Sequence, residues 1–310
     1  MREIITFDSY EDSSKKYVDD LKYIIARDIK FVDKPPVLML SGGVDSMLLG
    51  CILKEYFGLK DSITVGCVKD TDDVKVSQDT AQKLGINNNL VLTTLEEVMD
   101  NIHLCKGKNI KSLFNMVYYL TFRLCMEKVD VSGLDLVQGD GADTLLGSLQ
   151  VFMYRDTTNY MKKYNVDRDT ARTMIKQNWY AAAIDPTKDT KKGSGHLFVE
   201  VANELGANPI MAFKHPDILR WVNDVPYSFA RPDKKTLPKE VIKYLGYNPE
   251  NVKRTIMEKG TGIYEIVGDR IMQMTGKTNP NSAVKMIVNS GAQLPIWLIP
   301  CYVNILITMF

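Results

Sequence analysis

Two rhythms of apolar positions alternate along the first half of the chain. Val37-Leu38-Met39-Leu40 is a short unbroken apolar run, the pattern of a strand buried on both faces. It is followed by Ser41-Gly42-Gly43-Val44-Asp45-Ser46 and then by an apolar helical stretch from Met47 to Phe57. Ile63 to Val68 predicts a second strand, Val74 to Leu84 a helix stopped by Gly85, and Asn89 to Leu92 a third strand. Leu113 to Lys128 has helical spacing, and Leu134 to Gln138 predicts a fourth strand that runs into Gly139-Asp140-Gly141-Ala142-Asp143. Upstream, a helix is expected from Ser13 to Ile29, with Pro35-Pro36 ending any helical course, because a residue before proline avoids helical geometry.

Strands alternating with helices imply an α/β fold, a parallel sheet covered by helices on both faces. After Thr144 the strand signal fades and helical segments dominate. The expected organisation is an N-terminal helical extension at 1–34, an α/β domain at 35–147, and a mostly helical region at 148–310. Phe114, Tyr118, Tyr119 and Phe122 recur at helical spacing, a core stripe. The lysine-rich, glycine-punctuated run from Asp185 to Gly195 is read as a loop.

Composition narrows the function classes. Thirty-nine basic against 38 acidic residues leave a net charge of +1, so no global basic field exists to hold a nucleic-acid backbone. Five cysteines, widely spaced and without a C-x-x-C pair, argue against a disulfide framework, a zinc site or an iron–sulfur cluster. They suit a reducing cytoplasm. No apolar leader is expected at the start. The apolar residues 294–310 are interrupted by Pro295, Pro300 and Asn304 and are read as a buried tail, not a membrane span. His103, His196 and His215 share no metal-ligand spacing.

The first glycine turn carries the chemistry. Gly42 and Gly43 let the backbone turn tightly and approach a ligand, since no Cβ stands in the way. The amides that follow open a helix whose N-terminus carries roughly half a positive charge, a place for an anion. Ser41 and Ser46 add hydroxyls. Asp45 would repel a phosphate unless a cation lay between them, and Mg²⁺ takes one or two carboxylates together with phosphate oxygens. The run lacks the Gly-Lys-Ser/Thr ending of the Walker loop.

This stretch resembles the pyrophosphate loop of the N-type ATP pyrophosphatases (PP-loop enzymes), which cleave ATP between the α- and β-phosphates and form an adenylate. Within that superfamily, residues 63–67, 73–85 and Gln138-Gly139-Asp140-Gly141-Ala142-Asp143-Thr144-Leu145-Leu146-Gly147 are similar to the synthetase domain of asparagine synthetase. Lys234-Lys235-Thr236-Leu237 and Lys253-Arg254 before Gly260-Thr261-Gly262 resemble its two lysine-bearing segments. The resemblance spans about residues 30 to 265. It implies a five-stranded parallel sheet of the adenine nucleotide α-hydrolase type. It also implies ATP and Mg²⁺ as cofactors, with Asp45 and Asp143 on the metal and backbone groups at Leu40, Val65 and Gly139 beside adenine. Lys234 and Lys253, with Lys259 a rival to Lys253, would offset charge growing on the α-phosphate and the leaving pyrophosphate.

The departures are on the acceptor side. Asp140 stands where the family has a glutamate near the acyl centre, and Thr144 replaces an acidic residue. The family's E-x-R-x-P-F-L-D segment has its nearest counterpart in Ala207-Asn208-Pro209-Ile210 through Pro216-Asp217. Position two is Arg2 in place of a glutaminase nucleophile, so ammonia, another amine or a separate glutaminase subunit is expected to supply nitrogen. The expected activity is adenylation of a small-molecule carboxylate, then attack by ammonia or an amine, with Asp140 orienting the amine or acting as base. Two alternatives stay open: a nucleobase- or tRNA-modifying enzyme using the same adenylation, and an inactive nucleotide-binding scaffold.

Overall fold

A computed structural model of the chain describes residues 10–142, 157–183, 194–215, 236–250 and 262–290. By its internal contacts the chain divides into two compact units. The first comprises Met1–Thr64, Asp72–Leu90 and Val131–Thr255, and the second Val65–Thr71, Val91–Asp130 and Ile256–Phe310.

Helix α1 (Tyr10–Asp28) leads into β1 (Val37–Met39), α2 (Val44–Phe57), β2 (Asp61–Gly66), α3 (Asp72–Leu84) and β3 (Asn87–Leu92). After α4 (Leu95–Asp100) and α5 (Leu113–Met126) comes β4 (Asp135–Gln138), and later α6 (Thr157–Tyr164), α7 (Arg168–Ala183), α8 (Ser194–Glu204) and β5 (Asn208–Ile210). Helices α9 (Thr236–Tyr244), α10 (Tyr264–Thr275) and α11 (Pro280–Ser290) follow. The predicted strands and helices are present with ends displaced by at most three residues. The exception in kind is β5, a strand in the stretch expected to be mostly helical; three residues interrupted by Pro209 give too short a run to register as a strand.

The five strands form one sheet in the order β3-β2-β1-β4-β5. Leu38 lies opposite Ser62 on one side and Val137 on the other, both pairings parallel, and β4 runs parallel to β5 with Leu136 opposite Pro209. All three residues of β1 are buried, and since neighbouring residues face opposite sides, the sheet is covered on both. The chain adds strands in one direction from β1 to β3 and then turns back to the other side with β4. β1 and β4 therefore flank the point where strand order reverses, at whose carboxyl ends open α/β sheets bind ligands.

In the first unit α2 is the central helix, with Met47, Leu48, Leu49, Cys51, Ile52 and Leu53 fully buried. Gly50 gives it room: a Cβ there would stand 2.6 Å from Leu84 Cδ1. Tyr17, Leu21, Ile24 and Ile25 of α1 and Leu237, Val241 and Ile242 of α9 close the same core. Beneath it, the buried Asp135 carboxylate accepts from the Lys30 amide at 3.0 Å, the Phe31 amide at 2.9 Å and Asn208 Nδ2 at 2.5 Å. Asn208 also donates to the Asp28 carbonyl at 2.8 Å, so one buried carboxylate ties the end of α1 to β4 and β5.

The second unit is built on α5. Ser112 caps it by accepting from the Asn115 amide at 3.2 Å, and Asn281 Oδ1 of α11 accepts from the Leu113 amide at 2.9 Å. The expected aromatic stripe is core: Tyr118, Tyr119 and Phe122 are buried, Phe114 is half-buried, and the rings of Tyr118 and Phe122 stack at 5.8 Å. Glu97 closes a capping box with Thr94 at the start of α4 and also accepts from Thr93 Oγ1 at 2.7 Å and Lys128 Nζ at 2.8 Å. The Lys128 ammonium first, then the Thr93 and Thr94 donors, pull the Glu97 carboxyl down to about 2. Among the described residues no helix is long and apolar enough to cross a membrane.

Candidate functional site: two glycine turns at the strand-order reversal

The turn after β1 is cross-linked by its own hydroxyls. Ser46 Oγ donates to the Gly43 carbonyl at 2.9 Å, lies 3.2 Å from Ser41 Oγ and accepts from the Ser41 amide at 3.3 Å. These bonds join both ends of the loop. Gly42 has φ +74°, and a Cβ on it would stand 2.8 Å from the Asp73 carbonyl oxygen and 3.1 Å from the Ser77 amide nitrogen. Glycine is thus required twice at this position, by conformation and by the close approach of α3. Gly43 is the N-cap of α2 and has no side chain with which to cap it; its own amide donates to Ser41 Oγ at 3.4 Å. An uncapped helix start held in a rigid glycine turn is the arrangement that takes a phosphate. Asp45 sits half-buried in the first turn of the helix.

The turn after β4 comes directly against it. A Cβ on Gly139 would lie 3.3 Å from the Ser46 amide nitrogen and 3.5 Å from the Asp45 carbonyl carbon. The two glycine turns read separately from the sequence are therefore one constellation, backbone against backbone, at the carboxyl ends of β1 and β4. Beyond Gly139, Asp140 Oδ1 accepts from the Gly141 amide at 2.9 Å, and Asp140 Oδ2 accepts from Lys214 Nζ at 2.9 Å. Lys214 is a residue that sequence reasoning missed. It ends the 3₁₀ turn Ala212–Lys214 directly after β5, within the segment noted only as the poor counterpart of the family's acceptor motif.

The other expected site residues are placed as follows. Leu40 is buried, its amide donating to the Ile63 carbonyl at 2.9 Å and its carbonyl accepting from Thr64 Oγ1 at 2.8 Å, so the groups expected beside adenine take part in the fold's own bonding. Val65 is half-buried in β2 and belongs to the second unit. Asp143, Lys234, Lys253 and Lys259 lie outside the described residues, as do most of the 185–195 loop and the apolar tail.

Of the two aspartates expected on Mg²⁺, Asp45 is described and Asp143 is not. Asp45 supplies a carboxylate beside the uncapped helix start, and no cluster of three or more histidine, cysteine or acidic side chains occurs among the described residues. Cys51, Cys105 and Cys125 are free and buried, and burial pushes each thiol up to about 12, while burial also raises Cys67.

Solved structures similar to the chain include the U34-tRNA thiolase NcsA of Methanococcus maripaludis with its [4Fe-4S] cluster. It is 14% identical, with 92% of this chain and 79% of that one covered at a TM-score of 0.36. An NH3-dependent NAD synthetase of Campylobacter jejuni is 13% identical, with 80% of this chain and 100% of that one covered at a TM-score of 0.34. No curated protein matches the chain by sequence. The asparagine synthase family model matches residues 25–207, more than half of the chain and inclusive of both glycine turns. The chain belongs to the asparagine synthase family.

Proposed function

We propose that the chain activates a small carboxylic acid with Mg-ATP and transfers the acyl group to ammonia or another amine. In the first step a carboxylate oxygen attacks the α-phosphorus and pyrophosphate leaves, giving an acyl-adenylate. In the second the amine nitrogen attacks the acyl carbon, AMP leaves and a proton is released, giving an amide. Family membership supports ATP-dependent chemistry of the ligase type. The observation that carries the reading further is the contact between the two glycine turns, with Gly139 packed on Asp45 and Ser46 at the uncapped start of α2.

Each residue then has a task. The amides opening α2 and the Ser41 and Ser46 hydroxyls bind phosphate oxygens, while Asp45 and Asp143 hold the metal. Mg²⁺, when bound, supplies charge neutralisation for the triphosphate. Lys234 and Lys253, or Lys259 in place of the latter, balance charge on the α-phosphate and the leaving pyrophosphate. Asp140 orients the amine or accepts its proton. The nitrogen comes from free ammonia, an amine, or a separate glutaminase subunit.

Acid-dependent exchange of labelled pyrophosphate into ATP tests this, run over a panel of mono-, di- and amino-carboxylates. The wild-type protein is expected to exchange with at least one acid, and Asp45→Asn to lower that exchange by about 100-fold or more with the urea unfolding curve unmoved. Absence of exchange with every acid would remove the proposal.

A further inference from the structure

We propose that Lys214 is the positioning residue of the nitrogen-donor side, pinning the Asp140 carboxylate in the orientation in which it meets the amine. This rests on the amide-forming reading above.

The pair is built into the fold and is not a chance meeting of two surface charges. The Lys214 stem lies across Gly141, where a Cβ would stand 2.7 Å from Cγ and 3.3 Å from Cε. Gly141 also has φ +98°, so its own conformation and the lysine stem both exclude a side chain. On the other side, Gly195 opens α8, and a Cβ there would stand 2.5 Å from both Asp140 Oδ2 and Met211 Cε and would also collide with Lys214 Nζ. Two glycines from separate elements thus leave room for one ion pair.

Lys214 is itself held. Its amide donates to the Met211 carbonyl at 2.9 Å, and Ala212 and Phe213 before it are fully buried. The ammonium therefore comes from a rigid turn, and only the side chain can swing.

The consequence for Asp140 is directional. One carboxylate oxygen is on the Gly141 amide and the other on Lys214, so the plane of the group is set by two donors at 2.9 Å. Without Lys214, an aspartate beside an anionic triphosphate and adenylate would be free to turn away from them, since like charges repel. The pair is 38% and 29% exposed, which leaves a face of the carboxylate open to an incoming amine.

A double-mutant cycle on ammonium-chloride-dependent AMP formation tests the assignment, run with an acid that supports pyrophosphate exchange. Lys214→Met is expected to slow AMP formation about tenfold or more, because misplacing a reacting group by about an ångström is enough for that. Lys214→Arg, which keeps the charge, should recover most of the loss. Combining Lys214→Met with Asp140→Asn should be no slower than Asp140→Asn alone, since a residue acting through another adds nothing once that other is gone. Two losses that multiply, or a Lys214→Met rate equal to wild type, would overturn the inference while leaving the amide-forming reading intact. A wild type whose AMP formation ignores ammonium with every acid would overturn both.

Discussion

Replacing Gly42 with alanine separates two demands that the first glycine turn makes on its backbone. The residue sits at φ +74°, and a left-handed conformation is destabilising by about 1–2 kcal/mol for a residue with a Cβ. The added methyl would also stand 2.8 Å from the Asp73 carbonyl oxygen and 3.1 Å from the Ser77 amide nitrogen. Both are main-chain atoms of a helix that cannot rotate aside, so α3 or the loop must shift, at about 1–3 kcal/mol for forced overpacking. Gly58, in the same unit, isolates the second effect. It has φ +66° at the end of α2, and nothing lies within 4 Å of its notional Cβ. Gly58→Ala therefore carries the conformational strain alone, and the small gain from a stiffer unfolded chain is common to both variants. The expected difference between them is about 1–3 kcal/mol. With a urea slope of about 3 kcal/mol/M, the Gly42→Ala midpoint falls roughly 0.3–1 M below that of Gly58→Ala. Far-ultraviolet circular dichroism across a urea series measures both. Equal midpoints would refute the claim that α3 backs the loop.

Gly139→Ala should act on turnover more than on stability. Its φ lies outside the left-handed region and the nearest atom is 3.3 Å away, so unfolding should move by less than about 1 kcal/mol. Pyrophosphate exchange, which depends on the spacing of the two turns, should fall about tenfold or more. Asp135→Ala strips two amides and the Asn208 side chain of a buried acceptor and should destabilise by about 2–4 kcal/mol in urea unfolding. A loss under about 1 kcal/mol would mean that water takes over those donors. Glu97 titrates at about 2 instead of its ordinary 4.5, so its stabilisation is complete above 4.5 and is lost as pH falls towards 2. The Lys128 and Glu97 side chains are 40% and 42% exposed, so screening limits the pair to about 1 kcal/mol or less. Lys128→Met should flatten the acid limb of the stability profile over that window, and profiles that superimpose would exclude the pairing.

The parts of this molecule legible in the sequence were those with a local cause. An unbroken apolar run such as Val37–Leu40 reports burial on both faces wherever the strand sits in the sheet. Ser41 to Ser46 reports a tight turn that opens a helix, because glycine conformation and a helix start are properties of adjacent residues. Gly139 to Asp143 was recognised in the same way. That the two turns touch follows from strand order, which no local pattern encodes. β1 and β4 are separated by two strands and four α-helices of chain and become neighbours only because β2 and β3 are laid down on the far side. The fifth strand escaped for a related reason. Asn208-Pro209-Ile210 is short and carries a proline, which lacks an amide to donate; its place in the sheet comes from pairing with β4 and from the Asn208 bond to Asp135.

Lys214 shows the same limit at a single residue. A lone lysine after a weak apolar stretch reads as a solvated charge, and nothing adjacent to it marks it otherwise. Its significance lies in two glycines and an aspartate that the topology gathers from β4, the start of α8 and the turn after β5. Gly141 and Gly195 are each unremarkable alone: one sits in the middle of a recognised motif, the other in the first turn of α8. The pairing of β5 with β4 sets the same lysine against both positions, adding to the strain that φ +98° already imposes at Gly141. A glycine whose missing Cβ would strike a charged side chain from a distant element is therefore a structural signal of a built ion pair. Two of them around Asp140 mark an ion pair that the motif alone did not show.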